Sequence, residues 1–114
     1  MIEKIVADYL TDRSGLVAYL EEPERPPKTY LLVEKQGSGE RERLDEAMIT
    51  VQTYAPSLYE TATLNLSVKK IMLNMAAELD EVTRCECSSD YNFTDPQTHR
   101  YRYQAVYIIR YYEE

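Results

Sequence analysis

The sequence predicts an α+β fold: an antiparallel (mixed) sheet of about four to five strands with two helices packed on one face, in a single domain over residues 1–114. Two segments place apolar residues at helical 3–4 spacing, and five others are short, rich in β-branched and aromatic residues, or alternate with period two. Most of the breaks between them are short, which favours neighbouring strands that run antiparallel.

The first element is "IEKIVADYLTDR", residues 2–13, where Ile2, Ile5, Val6, Tyr9 and Leu10 form one apolar stripe while Glu3, Lys4 and Asp8 face water. Ser14 and Gly15 stop this helix. "LVAYLE", 16–21, reads as a short strand, and "EPERPP" breaks regular structure because its prolines lack backbone donors. A second strand follows over 29–35, "TYLLVEK". "QGSGERERLDE" holds two of the three glycines among charges and reads as a mobile, solvated hairpin connection.

Leu44 to Tyr54 is the third strand, with Ala47, Ile49, Val51 and Thr53 on one face and Met48, Thr50 and Gln52 on the other. Pro56 and Ser57 then open a second helix, about Ser57 to Leu79, with Ser57 and Glu60 at capping-box spacing. Its apolar residues make two stripes. Leu64, Val68, Ile71, Met72, Met75 and Leu79 form the core stripe, while Ala62, Leu66, Leu73 and Ala77 project from nearly the opposite side. Asn65, Lys69, Lys70, Asn74 and Glu78 separate the two. The second stripe reads either as scattered surface residues or as a subunit contact, and we take it as a contact. Val82 to Ser89 and Arg100 to Tyr112 are the last two strands, joined by the turn-rich "SDYNFTDPQTH".

The final strand puts Tyr101, Tyr103, Ala105, Tyr107, Ile109 and Tyr111 on a face covered by the helices. Its other face carries Arg102, Gln104, Val106, Ile108 and Arg110, a small apolar centre ringed by polar groups. This face is expected to meet a partner.

Net charge is −7. That argues against general DNA binding, which depends on cations displacing counterions from phosphates. No apolar run approaches the roughly 18 residues of a membrane span, and "MIEKIVADYL" does not read as a secretory signal. Cys85 and Cys87 share one strand face about 7 Å apart, so they read as free thiols rather than a disulfide. His99 is the single histidine; zinc would need more soft ligands than the chain offers. "GSG" lacks the lysine of a phosphate loop, and no nucleophile sits with a base, so no enzyme, metal or cofactor is expected.

The opening helix "IEKIVADYL", the proline-led strand "ERPPKTYLLVEKQGSG", the strand-to-helix passage "ITVQTYAPSLYETATLN" and the ending "SDYNFTDPQTHRYRYQAVYIIRYY" together resemble one family. It is that of the tail terminator and tail-completion proteins of long-tailed, siphovirus-type bacteriophages and prophages. The resemblance implies a structural virion protein, made in the bacterial cytoplasm, that forms a hexameric ring on the head-proximal end of the tail tube. Such a ring ends tail polymerisation and provides the surface for head–tail joining. Its partners would be copies of itself, the major tail tube protein and the head completion protein, with DNA passing through the ring.

In that setting Ala62, Leu66, Leu73 and Ala77, together with Arg102, Gln104, Val106, Ile108 and Arg110, are the expected subunit interface. Glu40, Arg41, Glu42, Arg43, Asp45 and Glu46 are the expected loop facing the tube or the lumen, where acids would repel phosphates. The alternatives are a head-side completion or adaptor protein of the same junction and a small cellular interaction module.

Overall fold

The computed structural model describes residues 1–41 and 44–112. The elements run α1 (Ile2–Ser14), β1 (Ala18–Tyr19), β2 (Tyr30–Arg41), β3 (Leu44–Tyr54), α2 (Leu58–Leu73), α3 (Met75–Glu78), β4 (Val82–Asn92) and β5 (Arg102–Tyr111). They build the expected α+β fold around one five-stranded mixed sheet of order β1-β2-β3-β5-β4. Only the two-residue β1 is parallel to its neighbour; the other three pairings are antiparallel.

Local chemistry sets the helix boundaries. Gly15 closes α1 in the left-handed conformation at φ 77°, where a side chain would be strained, and its N–H donates to the Thr11 carbonyl at 3.3 Å. At the start of α2, the Ser57 hydroxyl accepts from the Glu60 N–H at 3.1 Å, as the capping-box spacing predicts. The long second helix is not continuous. It breaks at Asn74, and a single further turn, α3, carries Met75 into the core.

The helices cover one face of the sheet. Ile2, Val6 and Leu10 of α1 and Val68, Met72 and Met75 of α2 and α3 meet Leu31, Val33, Ile49, Val51, Tyr107 and Ile109 from the strands. The period-two facing of β3 and β5 holds, because Ala47, Ile49 and Val51 and, on β5, Ala105, Tyr107, Ile109 and Tyr111 all join the helix-side core, although Thr50, Gln52 and Tyr54 on the opposite face of β3 are buried as well. Tyr101 and Tyr103, expected in that core, are only half-buried near the start of β5.

Three further expectations change. The glycine-rich "QGSGER" is not a loop: β2 continues through Arg41 with a bulge between Lys35 and Gly37, pairing Gly37, Gly39, Glu40 and Arg41 with Met48, Glu46, Asp45 and Leu44. A long partner strand supplies the backbone hydrogen bonds that the local composition does not suggest. Asn65, read as one of the polar residues that separate the two stripes of α2, is 1% exposed. Finally, β4 runs three residues beyond Ser89, to Asn92.

Candidate functional site

The helices leave the second face of the sheet open. Tyr30, Leu32 and Glu34 of β2, Glu46 to Tyr54 at alternate positions of β3, and Arg102 to Arg110 at alternate positions of β5 share it by register. A chain of hydrogen bonds, joined at one point by stacked rings, crosses this face. Arg100 donates to Glu22 at 2.6 Å and also to the Tyr30 hydroxyl, which in turn donates to Glu22 at 2.5 Å. The Tyr30 ring stacks on Tyr54 with centroids 4.5 Å apart, and the Arg100 guanidinium lies 4.9 Å from the centre of the Tyr54 ring.

From there the Tyr54 hydroxyl donates to Gln52 at 2.8 Å, Gln52 to Gln104 at 2.8 Å, and Gln104 to the Tyr91 hydroxyl at 2.7 Å. Arg102 closes that side. Its Nε donates to the Phe93 carbonyl at 2.6 Å while its guanidinium sits 4.5 Å from the Phe93 ring centre. All of the β5 residues expected on a contact surface, Arg102, Gln104, Val106, Ile108 and Arg110, therefore lie on the open face, each half-buried by its neighbours.

Electrostatics pin the proline-rich segment to this face. The Tyr30 hydroxyl and, after it, Arg100 hold the Glu22 carboxyl below the usual carboxylate range, against a smaller opposing effect of burial. Burial and the Glu22 hydrogen bond push the Tyr30 phenol up. Glu22 is thus a carboxylate bound to two donors, and the backbone from β1 to β2 is tied to the approach of β5 by contacts 78 residues apart in sequence.

Two shallow grooves lie at opposite ends of the open face. One, of about 410 Å³, is lined by Pro26, Pro27, Lys28, Tyr54, Pro56, His99, Arg100 and Tyr101 among others. The other, of about 400 Å³, is bounded by Gln36, Gly37, Ser38, Gly39, Glu46, Met48 and Ile108. Gly37 and Gly39 face Met48 and Glu46 across the ladder, and the missing side chains leave the depression.

On the other side of the molecule, α2 turns an apolar stripe to solvent. Leu66 is 57% and Leu73 48% exposed, Ala77 is exposed and Ala62 half-buried. Tyr59, 80% exposed, extends this stripe by one more turn pair. The sequence reading passed over it, although Tyr59, Leu66 and Leu73 recur at seven-residue intervals along the helix. Lys69 pairs with Asp90 of β4, whereas Lys70 is exposed with no ion pair among the described residues.

The expected acidic loop is distributed differently. Asp45 and Glu46 belong to β3 and alternate in facing, with Glu46 on the open face 3.3 Å from Arg110. Glu40 and Arg41 form the last residues of β2, and Glu42 and Arg43 lie outside the described residues.

Neither thiol is activated. Burial pushes Cys85 up to about 12, with further upward effects from Cys87 and Glu86, and burial likewise raises Cys87. Among the described residues no group of three His, Cys, Asp or Glu side chains is placed to hold a metal ion, and no helix is long and apolar enough to cross a membrane. Comparison with protein families and with curated proteins gives no match. The arrangement offers binding surfaces: a polar, aromatic, hydrogen-bonded sheet face on one side and an apolar helix stripe on the other.

Proposed function

We propose that this chain is a structural subunit of a ring at the head-proximal end of a bacteriophage tail tube, where it ends tube polymerisation and receives the head. One observation carries the reading beyond the resemblance: the subunit has two uncovered surfaces of unlike chemistry on opposite sides of a two-layer fold. Unlike surfaces make head-to-tail contacts, and a head-to-tail contact closes into a ring when the rotation per copy sums to a full turn. A self-complementary dimer would need one surface only.

Electron microscopy of the purified protein mixed with tail tubes tests the proposal. A ring at one end of each tube, with tubes no longer extending, is the expected result. Binding to heads at the portal, with bare tube ends, would favour the head-side adaptor instead. Leu66→Glu sets a charge in the middle of the exposed helix stripe and should reduce ring assembly while leaving the fold intact, since the side chain is outside the core. Unchanged occupancy of tube ends would remove the stripe from the interface.

A further inference from the structure

We infer that the two uncovered surfaces are each other's partner: α2 of one copy lies lengthwise on the open sheet face of the next. Tyr59 would seat in the groove by Tyr54 and Arg100, and Leu73 in the trough floored by Gly37 and Gly39. This deepens the ring reading, on which its closure rests, by naming the contact and its direction.

Three features of the two faces carry it. The first is spacing. Tyr59 and Leu73 are separated by fourteen residues of one helix, about 21 Å at 1.5 Å per residue. Met48 of the trough and Tyr54 of the other groove, the nearest lining residues of the two along β3, are six residues apart, about 20 Å at 3.4 Å per residue. The two ends of the stripe thus reach the two grooves together, with Leu66 between them over the centre of the face.

The second feature is shape. The stripe presents large side chains, Tyr59, Leu66 and Leu73, and the trough is hollow because two facing positions have none. A Cβ added at Gly37 or Gly39 meets nothing within 4 Å, and neither residue adopts a positive φ. Nothing in the subunit's own packing requires glycine there, whereas an incoming leucine does require the space.

The third feature is charge, which fixes the direction. Glu60 stands at the N-terminal end of α2 and Lys70, exposed and without an ion pair among the described residues, near its C-terminal end. The open face has Lys28, Arg100 and Arg102 against Glu22 at the Tyr54 end, a net positive charge, and Glu34 and Glu46 against Arg110 toward the glycine end, a net negative one. Tyr59 at the cationic groove and Leu73 at the trough brings opposite signs together at both ends, and the reverse orientation brings like signs together. The aromatic ring also meets a groove lined by Tyr101, Pro56 and Arg100, and the aliphatic one meets Met48 and Ile108.

Cross-linking of two differently labelled copies tests this. In a Cys87→Ser background, with Cys85 buried, protein bearing Leu73→Cys is mixed with protein bearing Met48→Cys under mild oxidation at high concentration. A mixed disulfide between the two should form. The reversed pairing, Tyr59→Cys with Met48→Cys, should not form one. Gly37→Leu added to the Met48→Cys copy should abolish the link without lowering its unfolding temperature.

Equal linking in both orientations, faster linking of Leu73→Cys to itself, absence of any link, or a link that survives Gly37→Leu would each overturn the inference. Linked copies that fail to cap tail tubes would remove the tail-ring reading and keep the contact; capped tubes from copies that do not link would do the reverse.

Discussion

Asn65 allows the packing of the helix layer to be tested directly. It sits inside α2 with 1% of its surface exposed, and among the described residues neither its Oδ1 nor its Nδ2 finds a hydrogen-bond partner. A buried polar group left unpaired costs about 1–3 kcal/mol. Leucine has the same number of side-chain heavy atoms and the same branch point, and favours a helix interior over asparagine by roughly 0.5 kcal/mol. Its methyl groups are bulkier than the amide atoms, and overpacking returns about 1 kcal/mol or more.

Asn65→Leu should therefore stabilise the protein by about 1–2 kcal/mol net of these effects, raising the unfolding midpoint by roughly 4 °C for each kcal/mol in a domain of this size. Asn65→Asp keeps the shape and adds a buried charge, and should lower stability by several kcal/mol. Circular dichroism melts and urea titrations of the three proteins measure this. If the leucine variant melts below the parent by as much as the aspartate variant does, the amide is paired in the native protein and the reasoning fails.

Met72→Ala, at a fully buried position between α2 and the sheet, should cost about 2–5 kcal/mol in urea unfolding with an unchanged slope. Glu22 has a folded-state pKa below its unfolded value, so its contribution is present above about pH 4.3 and lost as pH falls through the lower folded value. Nuclear magnetic resonance signals of the Tyr30 ring should follow that titration, and Glu22→Gln should remove it. Cys85, with its thiol near 12, should resist alkylation at neutral pH until the protein unfolds, which mass spectrometry reads at the 85 position.

Much of the fold was legible because its periodicities are clean. The alternation in "AMITVQTY" and "YQAVYIIRYY" located the two central strands, and the Ser57–Glu60 spacing located the start of α2. What escaped depended on partners far away in the chain. Gly37 and Gly39 read as loop because their strand character comes from the ladder with β3 and not from their own preference. Asn65 read as a polar separator between the two stripes of α2, and nothing in its own chemistry marks it as buried.

The candidate surfaces divided the same way. The exposed helix stripe and the polar face of β5 follow from spacing along one element each. The chain from Glu22 through Arg100, Tyr30, Tyr54, Gln52 and Gln104 to Tyr91 joins five separate stretches of sequence, and no short motif marks it.

The strand order also governs how the protein comes to be folded. β5 is the last strand in the sequence but occupies an interior place in the sheet, between β3 and β4. The β2–β3 hairpin can form early, yet β4 has no neighbour to bond until β5 arrives between them. Because its central pairing joins residues as far apart as Asp45 and Tyr111, loop closure is slow to be repaid and the sheet forms late. During synthesis, the β4 side of the sheet cannot be finished before Tyr111 has left the ribosome, and a chain cut short within β5 loses an interior strand and leaves β4 without its partner.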